Sequence, residues 1–204
     1  MYGSPTPAWM WAAAMIGAAA VSLRADPATP LHTLVIPGVL APPLANRFSF
    51  SGRNTLLFTG ISTFTVAGDG TVAIEMLITT YQKNAFGNAD NSYLKVETMF
   101  NIAFILRRLE TIVTSKYARV KLAANGTRFA AGSNIVTPNM IRSDLIASYR
   151  QLENDGYVQN ADAFKAGLIV QQNSQNPNRV DVLWDGILID QLDIFALLFQ
   201  FRNQ

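Results

Sequence analysis

RNTLLFTGISTFTVAGDGTVAIEMLITTY, residues 53–81, carries the clearest backbone signal in the chain. Phe64 and Val66 share one face. After Ala67-Gly68-Asp69-Gly70, the residues Val72, Ile74, Met76 and Ile78 alternate again. Period two on both sides of a glycine-rich turn predicts a β-hairpin. GDGTVA at 68–73 imitates a dinucleotide-binding fingerprint. That loop must close a strand and open a helix, because the helix N-terminus meets the pyrophosphate. β-pattern residues follow here, so the glycines read as a turn.

Working toward the N-terminus, PGVLAPPLANRF (37–48) is a proline-rich connector and Leu31–Ile36 a short strand candidate. Tyr2 to Leu23 carries no charge, and WMWAAAMIGAAAV resembles a signal h-region. No Lys or Arg precedes it, however, and the apolar core is short for a bilayer span of about 20 residues. Thr6-Pro7 reads as a helix cap followed by a first-turn proline, and Asp26-Pro27 as the stop. Pro7–Arg24 is therefore expected to be a soluble helix, apolar all round and buried, lying close on a sheet through its alanines. No membrane insertion is expected.

Toward the C-terminus, Tyr93–Tyr117 is predicted to be a long helix with Met99, Ile102, Ala103, Leu106, Leu109 and Val113 as its apolar face. Thr137-Pro138 caps another, with Ile141, Leu145, Tyr149 and Leu152 inward and Gly156 as its stop. Gly167–Gln172, Arg179–Leu188 and Leu192–Arg202 are strand candidates. Together these elements predict an α/β fold: a mixed sheet flanked by helices, with a C-terminal strand arm. The expected division is an α/β domain over 1–189 and an interaction strand over 190–204.

Composition narrows the function. The chain has 204 residues, half of them apolar and 15% charged, which suits an ordered core. It has no cysteine, so thiolate metal sites and disulfides are excluded, in keeping with a reducing compartment. A net charge of +2 is too small to argue for nucleic-acid binding. Charge is unevenly placed: residues 107–150 carry eight bases against Glu110 and Asp144, and residues 151–204 carry three bases against seven acids. These blocks read either as solvated faces or as complementary patches for head-to-tail self-association.

Catalytic chemistry is scarce. His32 stands alone, where a triad or histidine metal site needs partners, and reads as structural or surface. There is no phosphate loop, no nucleophile elbow and no evident acid/base pair of carboxylates. Asn125-Gly126-Thr127 reads as a turn, and Arg107-Arg108 as a solvated helix face. No catalytic, cofactor-binding or metal residues are assigned, no cofactor is expected, and the chain is not expected to be an enzyme. The competing reading is a small-ligand-binding or enzymatic α/β domain with no recognisable site.

RNTLLFTGISTFTV (53–66), IEMLITTYQ (74–82), NSYLKVETMF (91–100), NGTRFAAGSNIVTPNMIRSDLI (125–146) and NPNRVDVLW (176–184) occur in order along the chain. This ordered set resembles the C-terminal part of Mu-like bacteriophage contractile tail sheath proteins, which are considerably longer. Met76 departs from the arginine expected after Glu75, placing one ionic contact in question. The resemblance implies a structural subunit without catalytic residues. It implies hexameric rings of identical subunits stacked helically around a tail tube and joined to a baseplate. Their terminal arms pair as extra strands with the sheets of neighbours. The implied location is the virion, in a phage or prophage-derived tail, after assembly in the bacterial host cytoplasm.

The arm is QLDIFALLFQFRNQ, residues 191–204. On a strand, Phe195, Leu197, Phe199 and Phe201 share one face, and Ile194, Ala196 and Leu198 the other. Being apolar on both faces, it calls for cover on both sides. It either completes its own sheet or pairs with a neighbour's; a helix at 191–201 is a third reading. The resemblance favours exchange, with Leu192, Ile194, Phe195, Leu197, Leu198, Phe199 and Phe201 as subunit-interface residues.

Overall fold

The computed structural model describes residues 3–203. The chain forms two compact units, one built from residues up to 102 together with those from 191 onward, the other from 103–190.

In the first unit the hairpin forms as expected. Strand β1 (Thr63–Val66) pairs antiparallel with β2 (Val72–Met76), Phe64 opposite Ile74 and Val66 opposite Val72. Asp69 accepts hydrogen bonds from the Thr71 amide and hydroxyl, and Gly70 takes φ +88°, a left-handed conformation suited to glycine. The strand expected over Leu31–Ile36 is reduced to a bridged run along β2. The amides of Thr33 and Ile36 donate to the carbonyls of Ile74 and Val72 at 2.8 and 2.9 Å, but Thr33 at φ +67° breaks the extended line.

Helix α1 (Ala8–Ala25) packs Trp11, Ala19 and Leu23 into a core with Leu31, Ile36, Val72 and Ile74. The Trp11 and Phe64 rings lie 4.6 Å apart, and the indole N–H donates to Ser4 Oγ. Burial on all sides was the expectation, and the structure corrects it. Trp9, Ile16 and Val21 are exposed. A hairpin covers only one face of a helix, so the opposite apolar face remains open. By length and composition α1 could also cross a membrane. The expected Thr6 cap is also replaced: Pro7 occupies the cap position, and Thr6 Oγ1 instead accepts from the Leu40 amide. Helix α2 (Phe50–Phe58) was not foreseen. It buries no residue, so it leaves no apolar stripe to read; Ser49 caps it by accepting from the Gly52 amide.

Helix α3 (Val96–Lys116) contains the division between the units, between Ile102 and Ala103. Its buried positions are Glu97, Asn101 and Ile105, whereas Met99, Leu106 and Val113 of the expected face are exposed. Apolar residues occur on more than one side of this helix, so periodicity alone does not select the covered side.

The second unit is built around α4 (Pro138–Asn154). Thr137 Oγ1 accepts from the Met140 amide, Pro138 opens the helix, and Gly156 at φ +82° lies just beyond its end. Ile141, Leu145, Tyr149 and Leu152 are buried, as the spacing predicts. Around them lie β3 (Lys121–Leu122) parallel to β4 (Ile135–Val136), β5 (Val158–Gln159), α5 (Ala161–Gly167), β6 (Ile169–Gln172), β7 (Val180–Leu183) and β8 (Ile187–Leu188). The expected strand Arg179–Leu188 is split in two. β7 pairs with β6 while β8 pairs with β5, and the break at Trp184–Gly186 redirects the chain. A Cβ on Gly186 would come within 2.1 Å of the Trp184 ring, so any larger residue there must displace that ring.

The α/β class is as expected. Among the described residues, however, its strands are distributed over four two-stranded sheets rather than joined in one mixed sheet. Leu192–Arg202, expected as a strand, forms no regular element.

Candidate functional site

The tail is where chemistry and exposure coincide. Leu192, Ile194, Phe195, Leu197, Leu198, Phe199 and Phe201 are between 72% and 84% exposed. The Phe199 and Phe201 rings stack with centroids 6.0 Å apart, as alternate residues on one face of an extended chain do. Soluble domains rarely leave so many large apolar side chains side by side in water.

Its root is held differently. Gln191 Nε2 donates to the Ala28 carbonyl at 3.2 Å, and Lys95 forms an ion pair with Asp193. Gln191 and Asp193 are partly buried while Leu192 and Ile194 are exposed. That alternation is the reverse of a core strand: polar side chains face the body and apolar ones face outward.

Glu97 lies close to this root. It is 3% exposed, its Oε2 has no hydrogen-bond partner among the described residues, and burial pushes its carboxyl above the ordinary value. Lys95 opposes the shift and Asp193 adds to it. A raised folded-state pKa means that the protonated form is favoured on folding. The associated stability is fully present below the unfolded value near 4.5 and is lost as pH rises through the folded value. Glu97→Gln is therefore expected to raise the thermal midpoint at neutral pH, with the gain shrinking under acid conditions. Thermal melts across pH check this; a midpoint lowered at neutral pH would contradict it.

Other polar groups have structural duties. His32 Nδ1 lies 2.8 Å from the Glu75 carbonyl, tying its loop to β2. Arg53 Nε donates to Glu75 Oε2 at 2.7 Å, so Glu75 has an ionic partner even with Met76 beside it. A groove of about 450 Å³ runs between α2 and β1, but its two arginines are engaged, Arg53 with Glu75 and Arg47 with the Pro42 carbonyl. Among the described residues, no three of His, Asp or Glu gather into a metal-binding group. Of the eight bases in 107–150, only Lys116 makes an ion pair among the described residues, with Asp144 at 3.0 Å.

Residues 88–202 match the family model of the phage tail sheath C-terminal domain, and residues 1–80 that of the phage tail sheath protein central domain. The chain belongs to the phage tail sheath protein family. It is 42% identical over 198 residues to the Mu-like prophage FluMu tail sheath protein of Haemophilus influenzae, covering 97% of this chain. The sheath chain spans 40% of that relative's length. Its fold resembles the sheath tail protein of Desulfitobacterium hafniense, with a TM-score of 0.56 at 16% identity, over 81% of this chain and 35% of that one. The two sheath family models meet across residues 81–87, whereas the structural units divide within α3. The family is structural rather than enzymatic.

The seven residues expected from the sequence at a subunit interface are all exposed in the single chain. The root contacts were missed, because Lys95 and Asp193 are 98 residues apart and no local pattern links them. The only signal was the polar interruption at Asp190, Gln191 and Asp193.

Proposed function

We propose that this chain is part of a structural subunit of a contractile phage or prophage-derived tail sheath. In this reading the subunit self-assembles around the tail tube in helically stacked hexameric rings that contact the baseplate, within the virion, after assembly in the host cytoplasm. Residues 190–204 act as an interaction segment beyond the body at 1–189 and link neighbours by strand exchange. The observation that carries the reading is the tail itself: seven large apolar side chains, exposed together, on backbone with no ladder partner.

A neighbour's sheet supplies what the segment lacks. Pairing satisfies its backbone donors and acceptors, and burial of its apolar side chains contributes roughly 25 cal/mol per Å². The two-stranded sheet β6–β7 illustrates such an acceptor, with unpaired outer edges and exposed Ile169, Val182 and Leu183. Electron microscopy of the natural gene product tests the reading. Striated tubes are expected; discrete particles with a ligand-filled cleft would replace it with the ligand-binding alternative.

Charge adds a second expectation. The bases of 107–150 and the acids of 151–204 meet across subunit contacts. Each exposed pair contributes only about 0–1 kcal/mol, but many copies repeat it. Assembly, followed by light scattering, is expected to weaken as salt brings the Debye length below about 10 Å. Assembly indifferent to salt at low protein concentration would argue against the charge contacts.

A further inference from the structure

The interaction segment does not leave the body freely. The chain arrives at Asp190, whose carboxylate accepts from Gln159 Nε2 in the second unit. The residues that follow belong to the first unit. There Gln191 donates to the Ala28 carbonyl and Asp193 pairs with Lys95. Beyond Asp193, the apolar residues from Ile194 to Phe201 are exposed. The boundary between held and unheld backbone therefore falls at one residue.

Both holding points are themselves fixed. Lys95 lies in an antiparallel bridge with Ile78, flanked by the Thr79 amide donating to the Leu94 carbonyl at 2.7 Å and the Val96 amide donating to the Leu77 carbonyl at 3.2 Å. Ala28 is buried in the turn after α1, its amide donating to Asp26 Oδ1 at 2.9 Å. The Lys95 and Asp193 side chains are only 25% and 27% exposed, so this ion pair is not one between freely solvated surface groups.

We propose that Lys95 and the Ala28 carbonyl form a two-point clasp on Asp193 and Gln191 that sets where, and in which direction, residues 194–203 leave the body. The inference rests on the reading of that segment as an interaction arm and names the residues that aim it. A clasped root presents the arm in a restricted set of directions, so less freedom is lost when it pairs with a neighbour. Lys95, Gln191 and Asp193 are positioning residues: they act on the arm and not on its partner. Neutralising either member of the ion pair leaves the arm's apolar residues in place but unaims them.

The chain has no cysteine, so spin labels can be placed cleanly at Ala20→Cys on the exposed side of α1 and Ile194→Cys at the first free residue of the arm. In the unassembled chain, dipolar spectroscopy is expected to give a narrow distance peak. That peak should be lost in Lys95→Met and in Asp193→Asn, and kept in Asp193→Glu. If Lys95→Met fails to fold by circular dichroism, Asp193→Asn and Gln191→Ala decide. A broad distribution in the parent, or a narrow peak surviving neutralisation, overturns the clasp. Because no assembly is involved, the result is separate from exchange itself. Tubes that persist without the arm would remove exchange and leave the clasp; a broad parent distribution together with arm-dependent tubes would do the reverse.

Discussion

Ending the protein after Asp193 is expected to leave a folded subunit that no longer forms tubes. The residues removed include Ile194, Phe195, Leu197, Leu198, Phe199 and Phe201, all strongly exposed, and none belongs to either buried core. Among the described residues, those removed fill no buried position and make no side-chain hydrogen bond to the body, so the usual causes of large destabilisation are not engaged there. The Lys95–Asp193 and Gln191–Ala28 contacts remain. On the proposed reading, what disappears is the apolar segment that a neighbour would cover, and with it the linkage between subunits. Circular dichroism and thermal melting report on the body, and negative-stain microscopy on the tubes. A markedly lowered melting temperature would assign the segment to the chain's own core. Intact tubes would remove it from assembly. Phe195→Asp and Phe199→Asp should give the same split more gently, since a charge opposes burial without shortening the backbone.

Tyr149→Ala is expected to destabilise the second unit by about 3–5 kcal/mol, the range for removing a large buried aromatic. That is a large share of the 5–15 kcal/mol typical of a domain. Tyr149 is fully buried and stacks on Phe164 with ring centroids 3.8 Å apart and planes 7° from parallel; Trp184 packs at 5.5 Å. Its hydroxyl donates to the Gln159 carbonyl at 2.7 Å and accepts from the Ile187 amide at 3.0 Å, joining β5 to β8. Burial pushes the phenol above its ordinary value. Tyr149→Phe retains the stack and removes only the bridge. It should cost about 1–3 kcal/mol, because buried partners are left unsatisfied. Urea unfolding of the two variants separates packing from hydrogen bonding. Equal losses would place the whole effect in the hydroxyl, against the stacking geometry.

The hairpin at 63–76 and helix α4 were legible in the residues, because each is specified by neighbours in sequence. Asp69 and Gly70 make the turn, Thr137 and Pro138 start the helix, and the stripe Ile141, Leu145, Tyr149, Leu152 lies on one face at helical spacing. The limits of α1 were readable for the same reason, as was the family from ordered strings along the chain. The covered side of a helix was not. In α3 the buried side includes Glu97 and Asn101, residues that hydropathy assigns to solvent, and in α1 one apolar face stays open. Which side is buried depends on what other elements lie against it, and that is information distant in sequence.

The tail shows the same division most sharply. Its composition by itself marks a segment in need of cover. Only the tertiary structure decides that residues 192–202 form no regular element, that β7 and β8 go to separate partners, and that Lys95 and Ala28 hold the root. Local interactions encode turns, caps and periodicity within a few residues. Edge pairing and burial are satisfied only by groups brought together through folding, or by another subunit.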